Sequence, residues 1–72
     1  MPFVNVKITA GATTEQKEAL IEGMTELLCR ILDKNPASTH VVIDEVPPES
    51  WGVRGRTVAE LRAAGAPGVS KK

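Results

Sequence analysis

The apolar pattern of this chain changes period twice within its first 46 residues, and that succession leaves few folds open. Val4, Val6 and Ile8 alternate with Phe3, Asn5 and Lys7, the pattern of a strand with one apolar face. Leu20, Met24, Leu27, Leu28 and Ile31 then recur at helical spacings, with Ile21 and Leu32 widening the stripe, as on an amphipathic helix. The β-branched run THVVIDEV restores the period of two, with Val41 and Ile43 opposite to His40, Val42 and Asp44. Strand, helix and strand in that order predict a βαβ unit with parallel strands and a right-handed crossover. Two strands do not make a stable sheet alone, and their free edges invite pairing with another subunit.

The ends of these elements are marked locally. Residues 2–9 read as the first strand, and Gly11 loosens the chain after it. Thr13 stands three residues before Gln16, the spacing of a capping box, so a helix of about 20 residues is expected to start there. Asn35 and Pro36 are the expected stop, because asparagine tolerates the left-handed C-terminal conformation and proline cannot continue a helix. Further on, the two prolines of PPES predict a loop, GVRG suits a tight hairpin, and Thr57 three residues before Glu60 opens a second, short helix. The expected whole is one α+β domain over residues 1–72, with a flexible tail from about 65 and no linker or repeat.

Size and composition narrow the function. A chain of 72 residues buries only about 60% of the surface it exposes unfolded. One cysteine and one histidine supply neither a disulfide nor a structural zinc site, so self-association is the expected support. Nine basic and nine acidic residues cancel, which leaves no electrostatic excess for nucleic acid. No phosphate-binding glycine motif occurs. There is neither a signal peptide nor an apolar run of about 18 residues, so the expected location is cytoplasmic, with no membrane partner. Asp44 and Glu45 are neighbours on a strand and face opposite sides, which rules them out as a paired acid/base site. Cys29 lies on the leucine-rich helix and reads as a packing residue.

The chemistry points to Pro2. A proline does little harm at the first position of a strand, where its missing N–H is not needed. Loss of the initiator Met1, common before a small residue, would leave Pro2 with a free secondary amine. An amide nitrogen is no base, but an amine is. An α-amine titrates near 7.7–8.0 in model compounds, and burial or nearby cations pull it toward neutral working pH. Phe3 and Trp51 could supply apolar walls; Arg54, Arg56 or Lys7 could supply charge.

The Met-Pro start on an alternating strand, TTEQKEALIEGMTELL, VVIDEV and the aromatic-glycine pair in SWGVRG resemble, in order and spacing, the 4-oxalocrotonate tautomerase family. The resemblance covers residues 2 to about 62. It implies a β-α-β protomer completed by oligomerisation, usually a homohexamer built as a trimer of dimers, with N-terminal prolines in pockets shared between subunits. It also implies an isomerase that interconverts enol and keto forms of 2-oxo acids without a metal or organic cofactor. In the family's familiar reaction 2-hydroxymuconate becomes 2-oxo-3-hexenedioate, and the proline nitrogen takes the hydroxyl proton and delivers one to a distant carbon.

Carried over, the resemblance makes Pro2 the catalytic residue and puts Trp51 where the family has a phenylalanine wall. Two arginines that assist the proline in the family are Ala12 and His40 here. Alanine offers no donor, and histidine is mostly neutral at pH 7. The expected substrate therefore differs from the familiar dicarboxylate, or turnover is slow. His40, Trp51, Arg54 and Arg56 are the expected substrate-binding residues, with the arginines standing in for the missing pair. Two other readings remain: a hydratase or dehalogenase with Glu45, Glu49 or Asp44 activating water, and a non-catalytic oligomer that kept the fold.

Overall fold

A computed structural model of the chain describes residues 1–69, which divide into two compact units. The first comprises Met1–Lys7 and Thr13–Asp44, and the second Ile8–Ala12 and the chain from Glu45 onward.

The alternation in the first residues becomes strand β1 (Phe3–Thr9), and THVVIDEV becomes strand β2 (His40–Val46), its parallel neighbour. Within the first unit the His40 N–H donates to the Pro2 carbonyl at 2.9 Å, and the Lys7 ammonium meets the Asp44 carboxylate at 2.7 Å. Together these bonds set the register: Phe3 stands beside His40, Asn5 beside Val42 and Lys7 beside Asp44. One face carries those residues, all exposed; the other carries Val4, Val6, Val41 and Ile43, all half-buried. The expected facing of both strands is thus observed.

Helix α1 (Thr14–Leu32) starts where the capping box predicts, with Thr13 and Gln16 satisfying one another's backbone N–H groups. Its end differs from expectation. Asp33, not Asn35, takes the left-handed conformation (φ 54°), and its N–H reaches the Cys29 carbonyl. A short polar side chain is among the few that tolerate this backbone, and aspartate does so as well as asparagine. Asn35 instead caps a 3₁₀ turn at Pro36–Ser38, accepting from the Ala37 N–H at 2.9 Å. Only part of the apolar stripe of α1 is covered. Met24 and Leu28 are half-buried, whereas Ile31 is 66% exposed and Leu20, Ile21, Leu27 and Leu32 also face solvent. No described residue of this unit is buried.

The second unit has a small core of its own. The expected hairpin joins β3 (Gly52–Val53) to β4 (Arg56–Thr57), and helix α2 (Val58–Ala63) follows directly behind the Thr57–Glu60 capping box. Positive φ at both Arg54 (58°) and Gly55 (75°) gives this two-residue turn the twist that matches its strands. Val58 and Leu61, each 5% exposed, are the buried side chains among the described residues. At the far end of α2 the Gly65 N–H donates to the Arg62 carbonyl and the Ala66 N–H to the Leu61 carbonyl, both closing a left-handed turn on Gly65. Residues 65–69, expected to belong to a loose tail, continue as turns, and the Pro67 carbonyl accepts from Arg54. The rest of that tail, 70–72, lies outside the described residues.

Candidate functional site

Pro2 is half-buried at the head of β1, where its carbonyl is held by the His40 N–H at 2.9 Å. Its nitrogen carries Met1, which is 85% exposed. His40 itself is exposed and stands beside Phe3, 64% exposed. Parallel pairing thus brings Pro2, Phe3 and His40 together at one end of the strand pair. Ala12 is half-buried on the β1–α1 loop and presents no polar side chain.

The other expected residues lie in the second unit. Trp51 is half-buried, and its carbonyl accepts from the Val58 N–H at 2.8 Å, which fixes it against the start of α2. Arg54 and Arg56 are exposed, and each has a local partner. Arg54 Nη2 donates to the Pro67 carbonyl at 3.3 Å, and Arg56 Nη2 to Glu60 Oε2 at the same distance. Trp51 lines a cavity of about 270 Å³ together with Thr9, Val53, Val58, Arg62 and Val69. Neither Arg54 nor Arg56 lines it; among the described residues the cation that does is Arg62, whose Nη2 donates to Thr9 Oγ1 at 2.9 Å. Its Nε is shielded from solvent and has no partner. Leaving a buried donor unpaired costs about 1–3 kcal/mol.

Arg62 was not among the residues expected from the sequence. The usable signal was its position four residues after Val58 on the apolar side of a short capped helix, where a charged side chain is unusual. In the first unit a larger, shallow depression of about 610 Å³ is lined by Glu22, Thr25, Cys29, Arg30 and Pro36 among others, none of them an expected site residue.

Two carboxylates titrate low. The Lys7 ammonium, hydrogen-bonded to Asp44, holds that carboxyl below its ordinary value, with Asn5 assisting. The Thr57 N–H and hydroxyl do the same for Glu60, helped by Arg56. Both groups are exposed, and their shifts express capping and pairing rather than a proton-transfer site. Among the described residues no group of three or more His, Cys, Asp or Glu is placed to hold a metal, and no helix is long and apolar enough to cross a membrane.

A β-α-β unit whose first strand follows Met1-Pro2, with a hairpin and a short helix after the second strand, defines a narrow class. The family described as "Tautomerase enzyme" matches residues 2–61. "Probable tautomerase K2" of Dickeya dadantii is 56% identical over 63 residues, covering 86% of this chain and 94% of that protein. The 2-hydroxymuconate tautomerase of Comamonas testosteroni is 38% identical over 61 residues, covering 85% and 97%. The crystal structure of DmpI from Helicobacter pylori superposes with a TM-score of 0.80 at 45% identity, covering 86% of this chain and 97% of its own. The chain belongs to the tautomerase family and is an isomerase of the 4-oxalocrotonate tautomerase type.

Proposed function

We propose that this protein interconverts the enol and keto forms of small 2-oxo or 2-hydroxy-dienoic acids, with the Pro2 amine as base and then acid once Met1 is removed. The observation that carries this reading is the geometry of Pro2. Its carbonyl is used by the strand pair, while its nitrogen bears nothing but an exposed methionine. Removing that residue frees the amine without disturbing the residue that holds it. The neutral amine takes the hydroxyl proton of the enol, giving a prolinium and a delocalised enolate. The prolinium returns a proton to carbon, which regenerates the amine and leaves the substrate's formula unchanged. Restriction by the pyrrolidine ring aims the lone pair in few directions, a positioning contribution made before the substrate arrives.

The His40 N–H holds the Pro2 carbonyl at 2.9 Å, and the His40 side chain is assigned to polarise the substrate carbonyl or hold a carboxylate. Trp51 is assigned as apolar wall. Arg54 and Arg56 are assigned to meet a substrate carboxylate; their present contacts, at 3.3 Å and exposed, are ones a carboxylate can displace. The exposed apolar residues of the first unit supply a reason for self-association, and a hexamer of the family type is the assembly we assign.

Intact mass should show the chain without Met1. Ketonisation of phenylenolpyruvate and 2-hydroxymuconate should then slow by about 10²–10⁴-fold in Pro2→Ala, the usual range for loss of a general base. Equal rates in the two proteins would reduce the chain to a non-catalytic relative, and retention of Met1 would leave Pro2 an amide and end the reading.

A further inference from the structure

We propose that residues 65–69 form a strap that closes one side of the Trp51 cavity, that Arg54 is its latch, and that the strap thereby sets how large a molecule the cavity admits. The two ends of the strap are held unequally. At the near end the Gly65 and Ala66 N–H groups are bonded to the last turn of α2 at 3.1 and 2.9 Å, and Gly65 takes a positive φ (69°) that turns the chain back. At the far end the Pro67 carbonyl accepts from the exposed Arg54, through Nη2, at 3.3 Å. The long, exposed bond is the weaker attachment, so the strap hinges at Gly65 and opens at Arg54.

What the strap covers follows from which of its residues face inward. Ala66 and Val69 are half-buried, whereas Gly65, Pro67 and Gly68 are exposed. Gly68 and Val69 line the cavity of about 270 Å³ together with Trp51. Arg54 reaches the same place, because its Nη2 lies 3.7 Å from where a Cβ on Gly68 would stand. One guanidinium thus sits against both the Pro67 carbonyl and the wall residue Gly68, and the fixed φ of Pro67 stiffens the span. All of these residues belong to the second unit. Residues 65–69 lie beyond the family match over 2–61, so this part of the wall is set by the chain's own C-terminal residues. Selection by size rests on the reading of Trp51 as a wall of the substrate site; closure of the cavity by the strap does not. In that reading a substrate carboxylate that takes Arg54 Nη2 frees the Pro67 carbonyl, so substrate and strap compete for one guanidinium.

Trp51 is the only tryptophan of the chain and lines the cavity, so its emission reports access to it. Quenching by acrylamide, a small neutral molecule, should increase in Arg54→Met, which keeps the side chain's length and removes its donors. Loss of one hydrogen bond moves the balance about three- to tenfold toward the open strap. Arg54→Lys, which keeps a charged donor, should lie between Arg54→Met and the wild type. Val69→Ala, which thins the strap and leaves the latch intact, should also increase quenching. Unchanged quenching in Arg54→Met would show that nothing is latched there, and in Val69→Ala that the strap does not close the cavity; either result overturns the proposal. Should circular dichroism show Arg54→Met unfolded, Gly68→Ala replaces it: alanine is strained at φ 84°, the strap should loosen, and unchanged quenching would overturn the proposal instead. For selection, Val69→Ala should raise kcat/KM for phenylenolpyruvate relative to 2-hydroxymuconate on the order of tenfold, through KM. An unchanged ratio would overturn the strap's control of size. Pro2→Ala should quench as the wild type does, which separates failure of the strap from failure of the proposed catalysis.

Discussion

Phe3 offers a test of how this chain is completed. Its ring lies on the open sheet face beside His40 and is 64% exposed, in a unit where no described residue is buried. A fully covered phenylalanine buries about 150–250 Å², so the exposed part of this one amounts to roughly 100–160 Å². At about 25 cal/mol per Å², covering that area with a second copy of the chain contributes about 2.5–4 kcal/mol per protomer. Truncation in Phe3→Ala keeps only the small share an alanine would bury, which leaves a loss of about 2–3 kcal/mol. Each contact should then weaken roughly 30- to 150-fold. Sedimentation velocity over a dilution series would read this as a shift of the dissociation midpoint to higher concentration, with the far-ultraviolet dichroism of the assembled protein unchanged. A variant that dissociates at the wild-type concentration would show that Phe3 is not covered by assembly. A wild type that stays monomeric throughout would refute self-association altogether.

Other outcomes follow from particular residues. Leu61→Ala removes half of the buried pair in the second unit and should cost about 2–4 kcal/mol in urea denaturation, because so small a core has little with which to refill the gap. Gly55→Ala should cost about 1 kcal/mol, although an added Cβ meets nothing within 4 Å; the penalty is the positive φ alone, and an unchanged midpoint would mean that the turn rearranges. Asp44 titrates lower folded than unfolded, because Lys7 favours its charged form. The stability it contributes is therefore complete above the ordinary carboxylate range and is lost as pH falls through the lowered folded value. Asp44→Asn should flatten the acid limb of a plot of thermal midpoint against pH, and an unaltered limb would assign that dependence elsewhere.

The sequence carries the architecture because each element is specified by its own residues. Period-two alternation fixes which residues of β1 and β2 face together, and two capping boxes place the starts of α1 and α2. The end of α1 was less legible, since Asp33 and Asn35 are both able to take a left-handed cap and only the geometry of the last turn selects between them. The hydrogen bond from His40 to Pro2 was not readable at all, because register between segments 38 residues apart is set by long-range contacts. Arg62 was obscured for another reason: a cation is ordinarily read as solvated, and only the fold reveals that its Nε faces no water. Arg54 and Arg56, prominent in the sequence, are instead held by local partners at the surface.

Pro2 shows why a strand is a suitable place for an N-terminal base. In a parallel pair the first residue contributes through its carbonyl, and here that carbonyl accepts from His40 at 2.9 Å while the nitrogen contributes no hydrogen bond. Processing changes only the nitrogen. The same bond that fixes the residue thus persists when an amide becomes an amine, so catalytic competence and strand formation do not compete. If this holds, protein with and without Met1 should unfold at closely similar urea concentrations while differing sharply in ketonisation rate. A substantial loss of stability on removing Met1 would show that the methionine contributes to the strand's anchoring, contrary to its 85% exposure. Equal rates from both forms would show that the Pro2 nitrogen takes no part in the chemistry.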